Sequence, residues 1–154
     1  MYTLEEITKK YQISDIWDYS DLLHDYIEGN FSYIENNKEI INTLINEVTF
    51  PDNYYYSFIY TAAMCNNIYV LDKILNHPKI DEYSKYYDGK EQFYHAFWRA
   101  ALAVIHVNRP DLLKILMNKF NKVNYSYSGN ALLTIAKRKN FQDIIHLLEN
   151  EHSN

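Results

Sequence analysis

Apolar side chains recur at spacings of three and four along almost the whole chain, and sustained alternation of apolar and polar residues is missing. Thr3 and Glu6 form a capping-box pattern that opens a helix carrying Leu4, Ile7 and Tyr11 on one face. Ser20 precedes Leu22, Leu23, Tyr26 and Ile27, which predicts a helix capped there and ended by Gly29. Ser32 and Glu35 make a second capping box, ahead of Ile40, Ile41, Leu44, Ile45 and Val48. Pro51-Asp52-Asn53 breaks the chain, and Asp52 is placed to cap a helix with Phe58, Ile59, Ala62 and Ala63. Further helices are predicted at 67–76, 91–107, 110–119, 130–138 and 141–150. The expected fold class is all-α.

Four stretches align on an asparagine that follows one helix and precedes the next. They read Asn36-Asn37-Lys38-Glu39-Ile40-Ile41, Asn66-Asn67-Ile68-Tyr69-Val70-Leu71, Asn108-Arg109-Pro110-Asp111-Leu112-Leu113 and Asn140-Phe141-Gln142-Asp143-Ile144-Ile145. Each continues into a second aliphatic group, namely Leu44-Ile45, Ile74-Leu75, Ile115-Leu116-Met117 and Leu147-Leu148. The anchors lie 30, 42 and 32 residues apart, against a period of about 33 for one family of helical repeats.

On these residues the chain resembles ankyrin repeats. Ala131-Leu132-Leu133-Thr134-Ile135-Ala136 followed by Asn140 to Leu148 matches the family's short first helix and aliphatic second helix without a gap. Ile59, Thr61, Ala62 and Ala63, followed by Asn66 to Leu75, match it again. In the third unit, Ile115 to Asn124 fits, while its first helix needs one extra residue after Ala103. The family's corner glycine is Asn in every unit, its Thr-Pro start is absent, and its Gly-Ala-Asp finger is degenerate. A corner of this kind needs a left-handed backbone, which Gly adopts freely and Asn tolerates better than other residues. The resemblance implies one domain over 1–154, a short solenoid of ankyrin-like helix-turn-helix repeats. Residues 1–52 would form an acidic helical cap with a degenerate repeat at 30–48, and 53–150 three repeats with an insertion at about 81–90.

Composition sharpens this. The 154 residues include 16 Tyr but only 3 Gly and 3 Pro, which argues against a β sandwich or barrel and against glycine-rich phosphate loops. The net charge of −5 is unevenly spread. Residues 1–60 carry eleven Asp and Glu against three Lys, and residues 61–154 nine acids against twelve bases. This fits two differently solvated faces, or an acidic end that steers a basic partner. Uniform basicity is absent, which disfavours direct nucleic-acid binding. Cys65 stands alone in an apolar segment and reads as a small buried hydrophobe, which fits a reducing compartment. The opening Met-Tyr-Thr-Leu-Glu-Glu lacks the sections of a signal peptide, and no apolar run reaches the roughly 18 residues of a membrane span. A cytoplasmic protein without membrane association is expected.

The insertion holds Tyr83, Tyr86, Tyr87 and Asp88, and its Asp-Gly is a turn signal. Tyr125 and Tyr127 occupy the next finger in the register of the resemblance. Tyrosine gives large contact area at low entropic cost, so these six residues are candidates for binding a partner, against the alternative that they fold back on the stack. The repeats' first helices would line a concave face with Tyr56, Tyr60, His95, Trp98, Arg99, Thr134 and Lys137. Trp98 and Arg99 have hot-spot composition, although a Phe-Trp pair in an Ala-rich helix also suits a core. No metal set at zinc spacing, nucleophile elbow or phosphate loop appears, and no cofactor is implied. The resemblance implies a non-enzymatic protein-binding module. A small inhibitor such as an immunity protein or antitoxin, occluding a basic toxin or nuclease, is the leading expectation. The alternatives are a viral or bacterial effector that captures a host protein, and an enzyme or small-molecule binder with a pocket near His95, Trp98 and His106.

Overall fold

The computed structural model describes residues 2–29, 37–80, 91–119 and 131–150. All regular secondary structure among the described residues is helical, with α1 at Leu4–Tyr11, α2 at Ile16–Glu28, α3 at Asn37–Glu47 and α4 at Asp52–Met64. Next come α5 at Ile68–Leu75, α6 at Glu91–His106, α7 at Pro110–Lys119, α8 at Ala131–Lys139 and α9 at Gln142–Asn150. No strand occurs among the described residues, and no helix there is long and apolar enough to cross a membrane.

The helices pack in two rows. In the first, α2 lies on α4, α4 on α6 and α6 on α8. In the second, α1 lies on α3, α3 on α5, α5 on α7 and α7 on α9. Rungs join them, α2 to α3, α4 to α5, α6 to α7 and α8 to α9. The aliphatic pairs explain this arrangement: Ile40, Ile41, Leu44 and Ile45 on α3, and Val70, Leu71, Ile74 and Leu75 on α5, are all buried. Leu112, Leu113, Leu116 and Met117 on α7 and Ile144, Ile145 and Leu148 on α9 continue the same ridge. Small Ala62, Ala63, Ala100, Ala101, Ala103 and Ala136 on the first row are buried too, which lets the helix backbones approach closely.

The corners between rows are built alike. Asn66, Asn108 and Asn140 have φ of 58°, 53° and 59°, the left-handed region. At each, the Asn N–H donates to the carbonyl three residues back (Ala63, Ile105 and Lys137). The next N–H donates to the carbonyl five back (Ala62, Val104 and Ala136). This pair of bonds is the Schellman arrangement, which satisfies carbonyls that the helix end leaves open. Asn67 then caps α5, its side chain accepting from Val70 N–H and its amide donating to the Ile27 carbonyl of α2, each at 3.2 Å. The Ser32–Glu35 box and the Asn36 corner lie outside the described residues.

Three local expectations are corrected. α2 begins at Ile16, not after Ser20, because the Asp15 carboxylate accepts from the N–H groups of Trp17 and Asp18 at 2.8 and 3.1 Å. Ser20 is buried within the helix. Pro51, not Asp52, holds the N-cap position of α4, and Asp52 is its first helical residue. Cys65 is exposed, since it occupies the turn that leaves α4.

The amino-terminal helix is fixed by hydroxyl contacts. Thr3 and Glu6 complete their capping box, with Thr3 N–H donating to Glu6 at 2.8 Å and Glu6 N–H to Thr3 at 3.2 Å. Thr8 donates its one hydroxyl proton to the Leu4 carbonyl, so the Tyr19 hydroxyl at 2.6 Å donates to Thr8. Tyr11 and Tyr26 meet hydroxyl to hydroxyl at 2.5 Å. Burial first, and then Tyr11, push the Tyr26 phenol above its ordinary value. Several tyrosines thus hold α1 against α2.

Candidate interaction surface

The first-row helices expose one stripe each, on the side away from their buried residues. On α2 it runs through Trp17, Asp21, His24 and Glu28, and on α4 through Ser57, Tyr60, Thr61 and Met64. On α6 it includes Arg99 and His106, and on α8 Thr134 and Arg138. Charge is graded across the row. Asp18, Asp21, Asp25 and Glu28 make α2 acidic, whereas α8 ends in Lys137, Arg138 and Lys139. Acidic α2 and the basic end of α8 therefore lie at opposite ends of the first row.

The α2 and α4 stripes are joined directly. His24 Nε2 lies 3.2 Å from the Ser57 hydroxyl, and its ring is 4.9 Å from that of Phe58. Burial lowers the His24 pKa against the opposing pull of Glu28, Asp21 and Asp25, so the ring favours its neutral form. Trp17 is 64% exposed and stands edge-on to Tyr54 of α4, with ring centroids 5.3 Å apart. Beside them, Tyr11, Gln12, Ile13, Asp18, Asp21, Leu22 and Asp25 line an open pocket of about 280 Å³. Asp18 is committed locally, because Ser14 donates to it through both its hydroxyl and its N–H at 2.7 Å. Those two bonds hold its carboxyl below the ordinary value. Among the described residues, no three His, Cys, Asp or Glu side chains form a group able to hold a metal ion.

Of the residues singled out from sequence, Tyr83, Tyr86, Tyr87, Asp88, Tyr125 and Tyr127 lie outside the described residues. Trp98 is half-buried and packs against the core, while the neighbouring Arg99 is exposed. His106 is exposed near the end of the same helix, with Nδ1 2.8 Å from the Leu102 carbonyl one turn back. For His95 only the backbone, on α6, is described. Lys137 pairs with Glu149 of α9 at 2.7 Å, which ties the two helices of the last pair. His77 sits in the turn after α5, stacks on Tyr55 at 4.9 Å, and accepts from Lys79 N–H at 3.3 Å.

Trp17, Asp21 and Tyr54 were not among the candidates that the sequence suggested. One signal pointed to Trp17: it is a large aromatic flanked by the acids Asp15 and Asp18. Comparison with protein-family models, with curated proteins and with solved structures gives no match.

Proposed function

We propose that the chain is a short solenoid of ankyrin-like repeats that binds another protein, and that α1 to α3 are its acidic cap. The two-row order of the helices and the three left-handed asparagine corners support the repeat reading. They are what a series of similar helix pairs, each burying its ridge on its neighbours, would produce. Such a form leaves one side of the first row open, and the protein would use it as a receiving face.

The observation that carries the binding reading is the α2 and α4 stripe. A tryptophan at 64% exposure lies one turn from Asp21 on α2, and α4 adds Tyr60 and Met64 at 40% and 43%. Large exposed aromatic and methionine side chains within a charged rim have the composition of protein-binding hot spots. The acidity of α2 favours a basic partner, for which the reading is an inhibitor of the immunity-protein or antitoxin kind that covers a toxin or nuclease. The Tyr-rich segment at 81–90 would add a second contact.

The test uses the intact protein as bait in extracts of cells that naturally express it. One stoichiometric protein should be retained, and its association rate should fall as salt rises, because exposed charges are screened over about 8 Å at physiological ionic strength. Recovery of no stoichiometric protein would overturn the reading, and a salt-independent rate would remove the steering role of α2. Replacing Tyr83, Tyr86 and Tyr87 by Ser should weaken the complex without moving the thermal transition.

A further inference from the structure

Tyr54 packs against Trp17 from within the core. Its ring is buried at 8% exposure between Phe50 and Phe58, each with its centroid 6.3 Å away. Its hydroxyl oxygen is shielded from water and has no hydrogen-bond partner among the described residues. Buried hydroxyls are ordinarily satisfied, and one that is not calls for a reason. Trp17 stands at one edge of the ring. Burial, and after it the charges of Asp21 and Asp15, raise the phenol above its ordinary pKa. Asp15 caps α2 two residues before Trp17 and Asp21 lies one turn after it, yet neither carboxylate accepts from the hydroxyl. Trp17, exposed over most of its surface, is the side chain that an incoming donor would have to displace to reach this oxygen.

These surroundings select a particular visitor. The carboxylates call for a cation, the orphaned oxygen for a directional N–H, and the indole for a flat face. An ammonium group meets the first need as a compact point charge, whereas a guanidinium meets all three. We propose that this site takes an arginine side chain from a basic segment of the partner protein. The guanidinium lies on Trp17, donates one N–H to the Tyr54 oxygen, and pairs with the Asp21 carboxylate. The adjoining pocket lined by Asp18, Asp21 and Asp25 receives a second basic side chain of the same segment. This rests on the protein-binding reading and adds the chemistry of the partner's contact.

The probes are a short peptide alternating arginine and serine and its lysine counterpart. A Trp98→Phe background makes the emission report on Trp17. The arginine peptide should change that emission and bind about tenfold more tightly than the lysine peptide, as loss of one charge-assisted hydrogen bond and the stacking contact would require. Tyr54→Phe should weaken arginine-peptide binding about tenfold while leaving Tm the same or higher, because it removes an unsatisfied hydroxyl. A merely structural role for Tyr54 would not move binding and stability in opposite directions. Equal binding of the two peptides, no binding of either, or an unchanged affinity in Tyr54→Phe would overturn the proposal. If a partner captured from cells binds wild type and Tyr54→Phe alike, the arginine site is refuted while the protein-binding reading stands. If no partner is captured, that reading falls, and the peptide titration still decides the arginine site.

Discussion

Replacing Asn66 and Asn108 by Ala should destabilise the protein, whereas replacing the same two residues by Gly should not. Both have left-handed φ, 58° and 53°, and both are exposed. Neither makes a side-chain hydrogen bond among the described residues, so the backbone conformation dominates the effect. A β-carbon in this conformation costs roughly 1–2 kcal/mol; Asn offsets part of that cost and Ala does not. The expected loss is therefore about 1 kcal/mol per Ala. No hydrogen bond links one corner to the other among the described residues, so the losses should add to about 2 kcal/mol. For a chain of this size that lowers Tm by roughly 4–8 °C. The double Gly variant should match or slightly exceed wild type, its relief of strain offset by greater freedom in the unfolded chain. Urea unfolding followed by circular dichroism measures both. Equal midpoints for the Ala and Gly variants would refute the argument that left-handed corners set the turn between rows. Asn140 is a less clean site, because its side-chain oxygen accepts from Gln142 at 2.6 Å.

Other outcomes follow from the packing and from the histidines. Phe58→Ala should cost about 3–5 kcal/mol in urea unfolding, since the ring is fully buried among Phe50, Tyr54, Tyr55 and His24. A loss under about 1 kcal/mol would mean that this cluster collapses on the cavity. Burial holds the pKa of His24 and His77 below their ordinary 6.5, so the unfolded chain binds protons more readily. Their stability contribution is thus complete above 6.5 and is lost as pH falls from there through the depressed folded values. His24→Gln with His77→Gln should flatten the stability profile in that window. The slope from Glu6, Asp18, Asp111 and Glu149, all lowered by hydrogen bonds, should persist below their ordinary 4.5 and 3.8. An unchanged slope just below 6.5 in the double variant would show that other groups carry it. Lys137→Ala should change stability by less than about 1 kcal/mol, because its pair with Glu149 is solvent-exposed.

The helix pattern was readable because the core depends on it. Aliphatic pairs such as Leu71 and Ile74 or Ile144 and Leu148 are buried wherever the period placed them, and the corner asparagines mark backbone that few other residues tolerate. Local ambiguities led to the errors. Ser20 and Asp15 are both good caps, and the choice fell to Asp15 because Ile16 and Tyr19 extend the packed face one turn earlier. Cys65 follows an apolar run but falls where the chain leaves α4, so its position in the turn decides its exposure. The surface was less legible than the core. The acidic half was visible in composition, but Trp17 meets Tyr54 only because α2 packs on α4, and the residues are 37 positions apart. The orphaned hydroxyl is a property of that packing alone. Spacing in sequence carries no trace of it.

Hydroxyl-radical footprinting of the protein alone and in complex with its captured partner tests the receiving face most directly. Trp17, Tyr60 and Met64 are exposed, oxidisable side chains on α2 and α4, and Phe141, half-buried between α8 and α9, serves as a reference away from them. Oxidation of Trp17 and Met64 should fall several-fold in the complex while that of Phe141 does not change. Undiminished oxidation of Trp17 and Met64 in a saturated complex would contradict it.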